Sequence, residues 1–104
     1  MTDFSQIETD IERLNHTDRY YKYGGFNPNH DELFWKIYAD LIVLEQNGEI
    51  VSEPDKKPIS YLRELLLNDG PEWCYTIEFW PKGDPKKRYR IGVCVRGAPI
   101  IQRL

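Results

Sequence analysis

Between Trp73 and Val95 the chain alternates with period two, and no other feature constrains its fold so tightly. Trp73, Tyr75, Ile77 and Phe79 alternate with Cys74, Thr76, Glu78 and Trp80; beyond the turn-rich stretch 81–85, Tyr89, Ile91, Val93 and Val95 alternate with Arg88, Arg90, Gly92 and Cys94. Successive strand side chains point to opposite faces, so these runs predict a β-hairpin with strands over about 72–80 and 88–96. Centring the turn on Asp84 pairs Phe79 with Tyr89, Ile77 with Ile91, Tyr75 with Val93 and Trp73 with Val95 on one apolar face. The other face then pairs Trp80 with Arg88, Glu78 with Arg90, Thr76 with Gly92 and Cys74 with Cys94. A slip of one residue would mix the faces, and the Glu78–Arg90 charge match favours this register over slips that keep parity.

Ahead of the hairpin the period lengthens. Phe4, Ile7, Ile11 and Leu14 recur at steps of three and four, predicting a helix over about 4–16 opened by a capping box from Ser5 to Glu8. Leu33, Phe34, Ile37, Tyr38, Leu41, Ile42 and Leu44 predict a second over about 30–47. Asn29 with Glu32 would cap it, Asp31 suits its first turn, and Gly48 would stop it. Trp35 and Val43 extend its apolar surface beyond one stripe, making it the central helix. Leu62, Leu65 and Leu66, followed by Asp69-Gly70-Pro71, mark a shorter helix over about 60–68. Ile50-Val51 fits a short edge strand bounded by Pro54 and Pro58, and residues 100–104, after Gly97 and Pro99, are the candidate third strand of the hairpin sheet.

Helices first and strands last suit segregated layers. The expected fold is α+β: two to three N-terminal helices packed on a small antiparallel sheet built around a C-terminal β-hairpin, in a single domain over 1–104. A chain of 104 residues supports one two-layer core and not two. No apolar run reaches the ~18 residues of a membrane helix, and Met1-Thr2-Asp3 is not the basic start of a signal peptide. The expectation is a cytoplasmic protein with no membrane partner.

Aromatic and charge patterning bear on function. Rings make up 13% of the chain, more than one small core needs, so some are candidates for a binding surface. Tyr20, Tyr21, Tyr23 and Phe26 crowd into an aperiodic stretch, 15–30, with Gly24-Gly25 and Asn27-Pro28-Asn29 as turn chemistry. Such a loop is either pinned to the body by its rings or part of a recognition surface. A net charge of −3 conceals a division: twelve acids and four bases over 1–55 give −8, and ten bases and five acids over 56–104 give +5. The two halves are therefore candidates to hold each other, helices against hairpin.

Motifs for catalysis are sparse. Cys74 and Cys94 face each other in the proposed register; with no CxxC spacing and no secretion signal, two reduced, half-buried thiols are expected, with a redox-sensitive disulfide as the alternative. His16 and His30 flank the aromatic stretch and would need Asp18 or Asp31 beside them for metal or acid–base work. Ser5, Ser52 and Ser60 read as helix-start and connector residues, and neither a G-x-S-x-G elbow nor a phosphate loop is present. No metal or cofactor is implied.

Two surfaces remain. Asp18, Tyr20, Tyr21, Tyr23, Phe26, Asp31, Glu32 and Trp35 combine carboxylates with rings, the chemistry for docking a basic protein: charge steers encounter and rings supply desolvated anchors. The expected function is a non-enzymatic protein-interaction module, most concretely a small inhibitor of the bacterial toxin-immunity type. The alternative is nucleic-acid binding through the basic hairpin, by Trp80, Lys82, Lys86, Lys87, Arg88, Arg90 and Arg96, with cations on phosphate and the ring on a base. A small hydrolase built on the histidines is the third.

Overall fold

The computed structural model describes residues 3–22, 24–67, 74–94 and 97–104. Their elements are α1 (Phe4–Asn15), α2 (Pro28–Gln46), β1 (Ile50–Ser52), α3 (Tyr61–Leu67), β2 (Cys74–Pro81), β3 (Tyr89–Cys94) and β4 (Gly97–Arg103). The four strands form one antiparallel sheet in the order β1-β2-β3-β4. The fold is the expected α+β arrangement. Tyr23, the Asp69-Gly70-Pro71 stop, the Trp73–Val95 pair and Arg96 lie outside the described residues.

The β2–β3 register is the expected one: Phe79 faces Tyr89, Ile77 faces Ile91, Tyr75 faces Val93, Glu78 faces Arg90, Thr76 faces Gly92 and Cys74 faces Cys94. Ile77, Phe79, Tyr89, Ile91 and Val93 are buried, and the stripes of the helices cover them. Ile7, Ile11 and Leu14 from α1, Phe34, Ile37, Leu41 and Leu44 from α2, and Leu62 and Leu65 from α3 share that core. Phe4 meets the Tyr89 ring edge-on at 5.7 Å.

α1 begins at Phe4 as expected but under a different cap, and α2 begins at Pro28, two residues before the expected start. Asp3, not Ser5, caps α1: its carboxylate accepts from the Gln6 N–H at 2.9 Å, an equally good cap that brings Phe4 into the helix. Glu8 therefore does not close a box on Ser5; its carboxylate pairs with Lys87 Nζ at 3.2 Å. At α2 the cap is Asn27, not Asn29, and Pro28 takes the first helical position, where its preset φ fits and its missing N–H is no loss. Asn29 instead donates its N–H to Asn27 Oδ1 at 3.1 Å. The helix stops as expected, with Gly48 in the left-handed region at φ 73°.

Three further differences have local causes. β4 starts at Gly97, before the expected residue 100, and a register shift between Gly92 and Cys94 lets it do so. It includes Pro99, which lies within that register shift on an edge strand, where a missing N–H costs no ladder bond. Cys74 and Cys94 are bonded as a disulfide, with Cα atoms 4.1 Å apart, which corrects the expectation of two reduced thiols; directly opposed positions on adjacent strands leave the sulfurs in bonding reach. Ile59, just ahead of the expected third helix, is fully buried. Its N–H donates to Glu45 Oε2 at 2.9 Å, and the Tyr38 hydroxyl, 3.0 Å from both Ile59 O and Ser60 O, accepts from the Arg63 N–H. That hydroxyl ties the start of α3 to α2.

Candidate functional site

Residues 16–27 leave α1, turn back on themselves and enter α2. Gly24, at φ 96°, supplies the conformation the reversal needs. Tyr21 donates its N–H to Gly25 O at 2.6 Å, Gly24 returns one to Tyr21 O at 3.0 Å, and Tyr20 and Phe26 form an isolated antiparallel bridge. Asn27 fastens the base of this small hairpin. Its N–H donates to Arg19 O at 3.0 Å, its Nδ2 donates to Asp18 O at 2.8 Å, and its Oδ1 caps α2. One residue thus joins both limbs of the loop to the helix start.

The rings on this loop divide between anchoring and exposure. The Tyr20 hydroxyl accepts from the Ala98 N–H of β4 at 3.1 Å, and its ring lies 5.5 Å from that of Phe26. Even so, Tyr20 is 42% exposed, Phe26 49% and Tyr21 54%, three of the six large hydrophobic side chains exposed among the described residues. The loop is thus pinned to the body and at the same time presents rings to solvent. Around them Asp18 and Glu32 are exposed and Asp31 is half-buried, while Arg19 and Lys22 are exposed cations on the same loop.

Trp35 does not belong to this group. It is half-buried, packs edge-on against Phe34 at 4.9 Å and Tyr38 at 5.2 Å, and lines a cleft of about 470 Å³ with Tyr38, Ala39, Ile42, Arg63 and Leu66. Glu32 lines a different cleft, with Arg13, Thr17, Asn29, Leu33 and Lys36.

The two histidines also part company. His16 is exposed as the C-cap of α1. His30 is 2% exposed and lines a polar cleft of about 270 Å³ with Leu14, Asn15, Thr17, Asp18, Arg19, Ile100 and Gln102. Its Nδ1 is 3.8 Å from Asp31 Oδ1, beyond hydrogen-bond range, and both atoms are buried without a partner. Burial is the main cause lowering the His30 pKa below the usual histidine value, and the Arg19 charge adds to it; Asp31 opposes them. The cleft does bring His30 and Asp18 together as lining residues. Its one lining hydroxyl among the described residues, Thr17 Oγ1, donates to Arg13 O at 2.9 Å, which is helix-end bonding and not nucleophile activation. No group of three potential metal ligands occurs among the described residues.

On the hairpin the basic residues are largely engaged by acids. Lys87 pairs with Glu8, Arg88 with Glu78 at 3.4 Å, and Arg90 with Glu78 at 3.7 Å. Arg88 also stacks on the Trp80 ring at 4.4 Å, the contact the register implies. Lys82 and Lys86 are exposed and make no ion pair among the described residues. No helix among the described residues is long and apolar enough to cross a membrane. No protein-family model, curated protein or solved structure matches the chain.

The burial of His30 and the bracing by Asn27 were missed by the sequence reading. Asn-Pro-Asn before an apolar run was the available signal for the latter, and it was assigned to the second Asn. Nothing local signals the burial of His30, because it depends on how the preceding loop folds back and on β4, about seventy residues further along the chain.

Proposed function

We propose that this protein is a non-enzymatic interaction module that docks another protein through the 16–27 loop. The supporting observation is the exposure of Tyr20, Tyr21 and Phe26 together on a loop held by its own hydrogen bonds. Exposed rings carry a solvation cost that clusters at recognition surfaces offset on binding, and a braced loop loses little entropy when a partner orders it. Asp18, Glu32 and half-exposed Asp31 around the rings suit a basic partner, whose encounter they would steer. An inhibitor or immunity role is the concrete form of this reading.

Exchanging Tyr21 and Phe26 for Ser tests it, because neither side chain is in the core. The double variant is expected to keep the wild-type urea midpoint and to lose the protein that wild type captures from its own host's lysate. Undiminished capture by the double variant overturns the proposal. Nucleic-acid binding draws less support from the geometry, since Lys87, Arg88 and Arg90 already meet Glu8 and Glu78.

A further inference from the structure

We infer that His30 is a pH-sensitive latch for the aromatic loop, holding the docking surface in place while its imidazole is neutral and releasing it on protonation. The inference rests on the proposed role of the loop for its biological meaning, but its physical content does not require a partner.

The geometry places the ring where its charge matters most. His30 donates its backbone N–H to Asn27 O at 3.1 Å, and Asn27 is the residue that holds the incoming limb at Asp18 and Arg19. The imidazole lies in the cleft closed by the incoming limb at Thr17, Asp18 and Arg19, by the end of α1 at Leu14 and Asn15, and by β4 at Ile100 and Gln102. Among the described residues the buried Nδ1 of the ring makes no hydrogen bond. A neutral imidazole tolerates that placement at moderate cost, whereas an unpartnered buried imidazolium does not.

The charged groups facing the ring are few. Asp18 and Arg19 come from the loop and Asp31 from α2, while the α1 and β4 residues lining the cleft carry no formal charge. A proton on His30 would be attracted by Asp31 and repelled by Arg19. To be stabilised it must either move toward Asp31, now 3.8 Å away, or admit water to the cleft. The 17–19 limb, whose Asp18 and Arg19 are exposed, is the solvent-facing wall of the cleft, so the limb is the part that yields. Because burial holds the His30 pKa below that of the unfolded chain, the folded loop binds fewer protons than the released one. The latch is therefore fully set above the ordinary histidine pKa of about 6.5 and weakens as pH falls through and below it.

Proton NMR of the full chain tests this, following the His30 ring resonance and amide exchange of Tyr20, Tyr21, Gly25 and Phe26 between pH 7.5 and 5, corrected for intrinsic exchange rates. The expected result is a His30 midpoint below the ordinary value and a several-fold rise in loop exchange that tracks it, with α2 amides from Ile37 to Leu44 unaffected. His30→Gln is expected to flatten the pH dependence of loop exchange. If that variant does not fold, Asp31→Asn decides: losing the carboxylate that favours the proton moves His30 titration and loop opening to lower pH together. Loop exchange that stays level while His30 titrates, or that shifts independently of it in Asp31→Asn, overturns the inference. So does a His30 midpoint at or above the ordinary value.

Discussion

At Gly92 an added Cβ would stand 2.8 Å from Thr76 Cγ2 and 3.5 Å from Tyr75 O, on the sheet face away from the helices. Thr is stiff about χ1, so the methyl cannot simply swing aside. Gly92→Ala is expected to cost about 1–3 kcal/mol in urea unfolding, and adding Thr76→Ser, which deletes the obstructing methyl, is expected to return part of it. A second residue-scale test concerns Asp10, 2% exposed yet bonded to Lys36 Nζ at 2.9 Å and Gln6 Nε2 at 3.2 Å. That carboxylate raises the Lys36 pKa above the usual lysine value. Lys36→Met leaves it short of its charged partner and is expected to destabilise by about 1–3 kcal/mol; an unchanged unfolding midpoint would show that water or Gln6 suffices. Single residues were the least legible scale in the sequence. Asp3 and Ser5, like Asn27 and Asn29, are chemically equivalent caps two positions apart, and the choice between them depends on tertiary packing of Phe4 and on Pro28.

Elements were read more securely, because their signals add over many residues. The β2–β3 register followed from alternation and the Glu78–Arg90 match, and Trp80 meeting Arg88 followed from it. The early start of β4 was not legible, since it depends on a register shift opposite Gly92 and Cys94 that has no pattern of its own. The cross-strand disulfide closes a loop with a sequence separation of 20. Its reduction is expected to lower stability by about 3 kcal/mol, read as a drop in urea midpoint with reductant that a Cys74→Ser, Cys94→Ser variant does not show. For the loop, Asn27→Ala removes the α2 cap and the bond to Asp18 O together; a loss of about 1–2 kcal/mol is expected, with faster amide exchange at Tyr21 and Phe26.

At the scale of the whole molecule, the split between an acidic first half and a basic second half proves to be only partly a seam. Lys87–Glu8 is the ion pair that joins the helices to the hairpin among the described residues; Asp10 is met by Lys36, and Glu78 by Arg88 and Arg90, each within its own layer. Enough acid remains free for long-range steering. Asp18→Lys with Glu32→Lys is expected to slow association with a basic partner and to reduce its dependence on salt, leaving dissociation less affected. The candidate site was half legible: its rings and carboxylates could be named from the sequence, while the assignment of Trp35 to a separate cleft required the packing of α3 on α2.

The central claim is that the 16–27 loop, and not some other exposed apolar position, is where a partner docks. A photo-cross-linking side chain placed at Tyr21, and separately at Val43, which is 50% exposed on α2, tests it in the native host. The account predicts one discrete cross-linked protein from position 21, absent from position 43 and abolished when Phe26→Ser is added. Equal labelling from both positions, or labelling from 43 alone, would contradict it.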